Sequence, residues 1–559
     1  MKLRPFATYA LAGCALANVI FLEQWEALLR VRDPAFSYYL TSLSGANYWA
    51  LMADVVILGL VGASLAVVAE RGRRLDTRWA AIIIIAAGFL LALNALRREM
   101  LAKLPLAAIQ SALVAVGRVN RNAFVLSSLV IVVGAVILVV SSPGRLRRSA
   151  SFVKGFGLAL SPFLLFTFGS AAWILLTTDL KAAFADAPLA THLPRSNAIR
   201  ERVVILVFDE ADYRLMFDAR PANLELPEFD RLRRESLFAT RALPPATETD
   251  LSLPSYIVGR RVTRLLPVSP RDATISLEDH PMVTTRFSRE ARLFNRARVL
   301  GADIALVGWG HPYCRIIRAV FTACHARGLS TPPTSLVSAA LWYTAEAVTI
   351  GPFLDRAYGF GPPYHALDYF DLRDSAKKVI GSAAYDLVFI HLPVPHEPRI
   401  YDRRTGRFVG PQRHTREGYL DNLALADITL GELGRTLATS GQADNTALLV
   451  TSDHPYRLAA REGLGFDARV PFLARMHGMT ESIEYSAPFN TVILGDIALA
   501  ILEGRFHSGA ELTRELDHVS PCRGSPCPDS MSVDRKDPLP RRSTRKREAD
   551  TRRIGATHE

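Results

Sequence analysis

Five stretches in the first 180 residues, at 6–22, 48–69, 79–95, 122–141 and 156–177, run almost without charge. A helix needs about 20 mostly apolar residues to cross a bilayer core. The third stretch contains AAIIIIAAGFLLAL and the fourth VLSSLVIVVGAVILVV, with no ionisable side chain in either. A soluble helix would need a polar face, so the pattern predicts a transmembrane domain of five helices over residues 1–180. The chain carries 66 Lys+Arg against 54 Asp+Glu, a net charge of +12. That excess lies between the apolar runs and in the last 20 residues, which points to a membrane partner and not to nucleic acid. Five cysteines in 559 residues exclude a disulfide scaffold.

Leu11-Ala12-Gly13-Cys14 imitates a lipoprotein cleavage box, but the chain stays apolar through Phe21 where a signal peptide would turn polar. We read it as part of a retained helix. Five alternating crossings put Lys2 and Arg4, then Arg71, Arg73, Arg74 and Arg78, then Arg145, Arg147, Arg148 and Lys154 on one side. By the positive-inside rule that side is cytoplasmic. Arg97, Arg98, Lys103, Arg118 and Arg121 break the pattern. They flank LPLAAIQSALVAVG, which fits an interfacial helix whose crossing would reverse the topology. With five crossings, everything after about residue 180 lies outside the cytoplasm.

Residues 200–505 alternate short apolar strands, Val203–Phe208, Asp303–Val307, Asp386–Leu392 and Thr446–Thr451, with helical patterns such as Pro227–Leu237 and Glu417–Leu437. Leu420, Leu423, Leu430, Leu433 and Leu437 form one stripe of the last helix. Continuous apolar strands between amphipathic helices predict an α/β domain whose mostly parallel sheet is covered on both faces. Ligands bind such sheets at the carboxyl ends of the strands. The segment from 520 to 559, rich in Pro, Ser and charge, reads as a disordered basic tail.

Two strands end in groups able to hold a metal. Val203–Phe208 runs into Asp209-Glu210, and Thr446–Thr451 into Ser452-Asp453-His454. Oxygen and imidazole ligands suit zinc, or manganese where oxygen dominates. Between them lies Pro245-Ala246-Thr247-Glu248-Thr249-Asp250-Leu251-Ser252-Leu253-Pro254-Ser255, hydroxyls ahead of a helix whose Pro254 suits a first turn. Such a cluster either caps the helix or presents a nucleophile where the helix dipole favours an incoming phosphate. A threonine hydroxyl needs a metal to act as that nucleophile.

The order of these motifs resembles the alkaline phosphatase superfamily in its sulfatase-like branch. With five helices in front, it is closest to membrane-bound phosphoethanolamine transferases and more distantly similar to lipoteichoic acid synthases. The resemblance covers 200–505 and implies one divalent metal on Glu210, Asp453 and His454, joined by Asp209, with Thr249 as nucleophile and Ser252 as second choice. It also implies substrate-phosphate or second-metal binding by His396 and His391 in His391-Leu392-Pro393-Val394-Pro395-His396, with His311 a weaker candidate. Two departures stand out. The sulfatase Cys-x-Pro-Ser-Arg is Ser252-Leu253-Pro254-Ser255-Tyr256 here, and Pro455 replaces the usual Gly after Ser-Asp-His. Outside the cytoplasm, Cys314 can pair with Cys324, and Cys522 with Cys527.

The expected protein is therefore a multi-pass inner-membrane phospho-transferase with a periplasmic catalytic domain. It would move a headgroup from a phospholipid or lipid-linked donor to a glycan or lipid acceptor. The alternatives are a phosphodiesterase or sulfuric ester hydrolase of the same fold, and a non-catalytic envelope scaffold.

Overall fold

The computed structural model describes residues 3–71, 75–103, 143–194, 199, 201–317, 320–328, 333–348, 364–412 and 415–518. The expected crossing at 122–141, the interfacial stretch at 104–117, the tail and the Cys522–Cys527 pair lie outside these residues.

The N-terminal part is helical: α1 (Leu3–Ile20), α2 (Leu22–Leu29), α3 (Gly45–Arg71), α4 (Leu75–Lys103), α5 (Pro143–Ala159) and α6 (Ser161–Thr177). Among the described residues, two helices are long and apolar enough to cross a membrane, Gly45–Glu70 and Ser151–Thr177, or up to three if a bent pair counts as one span. The described residues thus account for two or three of the five expected helices. The first expected span is broken at Phe21, where Phe6–Ile20 and Leu22–Arg32 meet at 70°. Among the described residues, α4 contributes the shorter apolar segment Trp79–Leu93. The Leu11–Cys14 segment is an uninterrupted part of α1. Its small residues serve packing: a Cβ on Gly13 would stand 2.5 Å from the Gly59 carbonyl oxygen of α3.

The second half is built on an eight-stranded sheet. In chain order its strands are β1 (Arg202–Asp209), β2 (Leu237–Ala239), β3 (Ile304–Gly310), β4 (Ala323–Gly328), β5 (Leu387–Pro395), β6 (Thr446–Ser452), β7 (Phe472–Arg475) and β8 (Ile483–Tyr485). They lie side by side as β8-β2-β7-β6-β1-β5-β3-β4. The block β6-β1-β5-β3-β4 is parallel, and β7 runs against both its neighbours. The sheet is thus mixed, and four of its five parallel strands are those legible in the sequence.

Every residue of β1 is buried, because both faces are covered. Val203, Ile205 and Val207 point into one core with α8 (Thr249–Val258), α9 (Arg292–Val299) and α13 (Leu494–Leu502). Val204, Leu206 and Phe208 point into the other, with α7 (Pro227–Arg234), α11 (Tyr364–Ile380) and α12 (Arg416–Thr439). The leucine stripe of α12 is buried there throughout. Helix α7 ends at Arg234, short of the predicted Leu237, which already belongs to β2. Helix α10 (Leu336–Val348) follows β4 and packs against α3.

The two halves interlock. Residues 38–41, between α2 and α3, lie against the α/β half and are pinned by Arg315, which is 1% exposed. Its guanidinium donates to the carbonyls of Tyr38 (3.0 Å), Leu40 (2.9 Å), Thr41 (3.0 Å) and Pro270 (2.7 Å). Gly328 lets this loop approach, since a Cβ there would meet the Tyr39 carbonyl oxygen at 2.2 Å. Cys314 and Cys324 form a disulfide beside it, with Cα atoms 5.6 Å apart.

Candidate metal centre

Parallel register brings the chemistry together. Phe208 pairs with Ser452 of β6, and Val207 with His391 of β5, so Asp209, Asp453 and His391 reach one sheet edge. Glu210 follows Asp209 with φ +71°, the one positive φ of a non-glycine residue among those described. Holding a side-chain-bearing residue there costs about 1–3 kcal/mol. Its neighbours fix it: the Glu210 N–H donates to Asp453 Oδ1 (2.9 Å), and its carbonyl accepts from the Tyr419 hydroxyl (2.9 Å). The kink sends successive carboxylates in different directions.

Asp209, His391, Asp453 and His454 are all fully buried. Ligand atoms of Asp209, His391 and Asp453 lie within 4.8 Å of one another. Nε2 of His391 is 3.4 Å from Asp209 Oδ2, and Nε2 of His454 is 3.7 Å from Asp209 Oδ1 and 3.4 Å from Asp453 Oδ2. Two ligands about 2.0–2.1 Å from a tetrahedral zinc stand about 3.3 Å apart, close to these separations. The far side of each ring is fixed: Nδ1 of His391 faces the Trp309 carbonyl at 3.0 Å, and Nδ1 of His454 the Pro455 carbonyl at 3.0 Å. A proton on Nδ1 in both leaves Nε2 lone pairs aimed at the centre.

The fit to a cation rests on atoms that are buried and unpartnered. Asp209 Oδ1, Asp453 Oδ2 and His391 Nε2 have no hydrogen bond, although each burial without a partner is costly. Their convergence suits a divalent ion with mixed oxygen and nitrogen ligands. Electrostatics point the same way. Burial would raise the Asp209 carboxyl, but the histidines at 396, 391 and 454 outweigh it and hold its pKa well below the usual carboxylate range. Burial and the neighbouring Asp209 charge raise that of Asp453. Burial would lower the His454 imidazole, but Asp453, Asp209 and Glu210 together raise it.

Thr249 is the first residue of α8, which begins five residues before Pro254 and so takes the proline into its second turn. There the missing N–H leaves the Asp250 carbonyl without its helical donor. Thr249 Oγ1 is 3.2 Å from His454 Nε2 and 3.5 Å from Asp209 Oδ2, at the rim of the cluster. The other candidates lie differently. The Ser252 hydroxyl donates to the Ala246 carbonyl at 3.1 Å. The Glu210 carboxylate accepts from the backbone N–H (2.9 Å) and Nε (3.2 Å) of Arg457. The backbone N–H of His396 donates to the Asp209 carbonyl (3.0 Å), and its ring Nε2 accepts from Arg457 Nη2 (2.6 Å). His311 is buried with Nε2 unpartnered, and burial lowers its pKa.

Sequence reading missed two contributors. Arg457 lies three residues after His454, but nothing in its surroundings signals a turn back onto Glu210 and His396. Tyr39, from the N-terminal part, donates its hydroxyl to Asp250 Oδ2 at 2.9 Å, next to Thr249. No local pattern marks a contact across 211 residues.

No family profile and no curated protein sequence matches the chain. Similar solved structures include a phosphonate monoester hydrolase of Agrobacterium radiobacter, at 16% identity and TM-score 0.36, over 55% of this chain and 77% of that one. A sulfatase from Pseudoalteromonas sp. shares 15% identity at TM-score 0.37, over 57% and 75%. An alkaline phosphatase superfamily protein from Vibrio parahaemolyticus shares 13% at TM-score 0.35, over 58% and 71%.

Proposed function

We propose that the chain is a membrane-bound, metal-dependent enzyme of the sulfatase-like branch in which Thr249 attacks a phosphodiester. One observation carries this reading: Thr249 Oγ1 borders a buried set of unpartnered ligand atoms, 3.2 Å from His454 Nε2. Asp209, Asp453, His391 and His454 would hold a divalent zinc or manganese ion, which would lower the hydroxyl pKa and offset charge on the transferring group. Thr249 Oγ1 bonds to phosphorus as its hydroxyl proton passes to solvent, the opposite ester P–O bond breaks, and the departing oxygen takes up a proton from solvent. Because α8 starts at Thr249, its positive dipole end faces the phosphoryl oxygens. A hydroxyl of a glycan or lipid acceptor then attacks phosphorus and releases Thr249. If water attacks, the outcome is hydrolysis.

A phospholipid headgroup is the donor that best fits the membrane helices, since a tethered site meets its substrate at high effective concentration. Inner-membrane location with the catalytic half outside the cytoplasm agrees with the Cys314–Cys324 disulfide, a bond that persists in oxidising compartments. The sulfate-ester route finds no support at position 252, where a serine hydroxyl is turned to Ala246.

The test is mass spectrometry of the protein purified from membranes, with Thr249→Ala as control. Phospholipid, aryl phosphate, phosphonate and sulfate esters are assayed in parallel. A phospho-adduct on the Thr249 peptide together with lipid-donor turnover is expected. Turnover of soluble esters by water alone would replace transferase with hydrolase. Bound metal below about half an equivalent, with no turnover, would leave a scaffold.

A further inference from the structure

Helix α10 belongs by sequence to the catalytic half, between β4 and α11, yet it packs against α3 in the N-terminal part. Its buried residues Ala339, Tyr343 and Ala347 recur every four positions and make the contact face. That face is sewn to the N-terminal helices by polar groups. The Asn47 side-chain amide donates to the Pro333 carbonyl (2.8 Å) and the Tyr343 hydroxyl (3.2 Å), and Ser44 Oγ donates to the Thr334 carbonyl (3.3 Å). Gln24 Nε2 donates to Glu346 Oε2 at 3.4 Å.

The opposite face is apolar and open. Leu336 is 48% exposed, Val337 68% and Leu341 67%, flanked by exposed Ser338 and Ala345. No charge interrupts it, because Glu346, the helix's one acidic or basic residue, is turned inward to Gln24. A water-facing helix distributes polarity the other way round, polar outside and apolar within. Ionisable side chains turned to the bundle interior, with apolar side chains outside, are the arrangement a helix adopts in lipid. The helix it packs against, α3, also carries exposed apolar side chains, Trp49 (59%), Ile57 (58%), Leu60 (42%) and Val61 (48%).

We infer that α10 is embedded in the bilayer alongside α3, with Val337 and Leu341 against lipid acyl chains. At 13 residues the helix is about 20 Å long, too short to cross a core of about 30 Å. It therefore enters one leaflet and ties the catalytic half to the membrane at a second point, far along the chain from the first. This rests on α3 being a membrane span and is independent of what the metal centre does.

The full chain, reconstituted into phosphatidylethanolamine–phosphatidylglycerol vesicles doped with a phospholipid carrying a diazirine in its acyl chain, is irradiated and digested. Tandem mass spectrometry then localises lipid adducts. Residues 336–348 should be labelled within about threefold of α3. The hairpin strand His280–Arg286 serves as the comparison, because its Met282 (93%) and Val283 (63%) are exposed too and belong to no helix. Labelling of α3 with residues 336–348 at the hairpin's level would overturn the inference, whether water or a second copy of the chain covers the face. Labelling of neither helix would overturn both the inference and the membrane assignment of α3.

Discussion

At the scale of single residues, the centre separates groups that the sequence places side by side. Asp209 turns to the cluster while Glu210, one residue on, turns to Arg457. Asp209→Asn should lose most of the bound metal, and Glu210→Gln should keep close to one equivalent, as read by elemental analysis after gentle purification. Two hydroxyls divide in the same way. Thr249→Ala should lower turnover by several orders of magnitude, as loss of a nucleophile does. Ser252→Ala removes one hydroxyl–carbonyl bond worth about 1 kcal/mol and should leave activity within about tenfold. Initial rates on the two variants decide between the candidates. His365 offers a pH readout. Burial first, and then the His396 charge, push its pKa down to about 4, and its Nε2 is sealed without a partner. In the unfolded chain it returns to about 6.5. Between these values the unfolded state binds more protons, so stability falls as pH drops from about 6.5 to about 4, by about 3 kcal/mol. Denaturation midpoints across that window should show a slope that His365→Phe removes.

At the scale of elements, what could be read from sequence depended on whether a segment carries its own reason for folding. The strands β1, β3, β5 and β6 are unbroken apolar runs because both faces of each are covered, and their positions followed from composition. The short strands β2, β7 and β8 and the half-exposed β4, with sequence Ala-Cys-His-Ala-Arg-Gly, pair only because neighbours are already in place. Asp209, Asp453 and His454 could be singled out because they stand at or just after strand ends, and the fold brings them together. His391 was expected to bind substrate phosphate or a second metal, and its place beside Asp209 and Asp453 depends on register with Val207, 184 positions away in the chain. The loop at 38–41 was invisible for the same reason, because its conformation is held from outside by Arg315. Removing that guanidinium leaves four carbonyls without their donor, and charged donors contribute about 1.5–3 kcal/mol each. Arg315→Met should therefore cost about 3 kcal/mol or more, lowering the thermal midpoint followed by circular dichroism in detergent. Arg315→Lys should recover only part, since an ammonium lacks the planar fork that reaches several carbonyls at once.

At the scale of the whole molecule, the centre is also a clasp. Its candidate ligands come from the ends of β1 and β6 and from within β5, and Thr249 adds the start of α8, so one bound ion would join segments spread over 246 positions of the chain, from 209 to 454. Without a cation the buried carboxylates of Asp209 and Asp453 face each other. Burial and that mutual repulsion are what raise the Asp453 pKa. The unfolded chain cannot assemble the same set, so an ion binds the native state alone and stabilises it by mass action. At a free metal concentration of 100 times Kd the gain is about 2.7 kcal/mol. Stripping the purified protein with a chelator should lower its thermal midpoint, and returning zinc or manganese should restore it in proportion to the logarithm of free metal. Asp453→Asn relieves the repulsion and removes a ligand together. It should therefore melt no lower than the stripped native protein and should no longer respond to added metal. A native protein whose midpoint ignored both chelator and metal would mean that these unpartnered atoms hold no ion, and the attack by Thr249 would lose its basis.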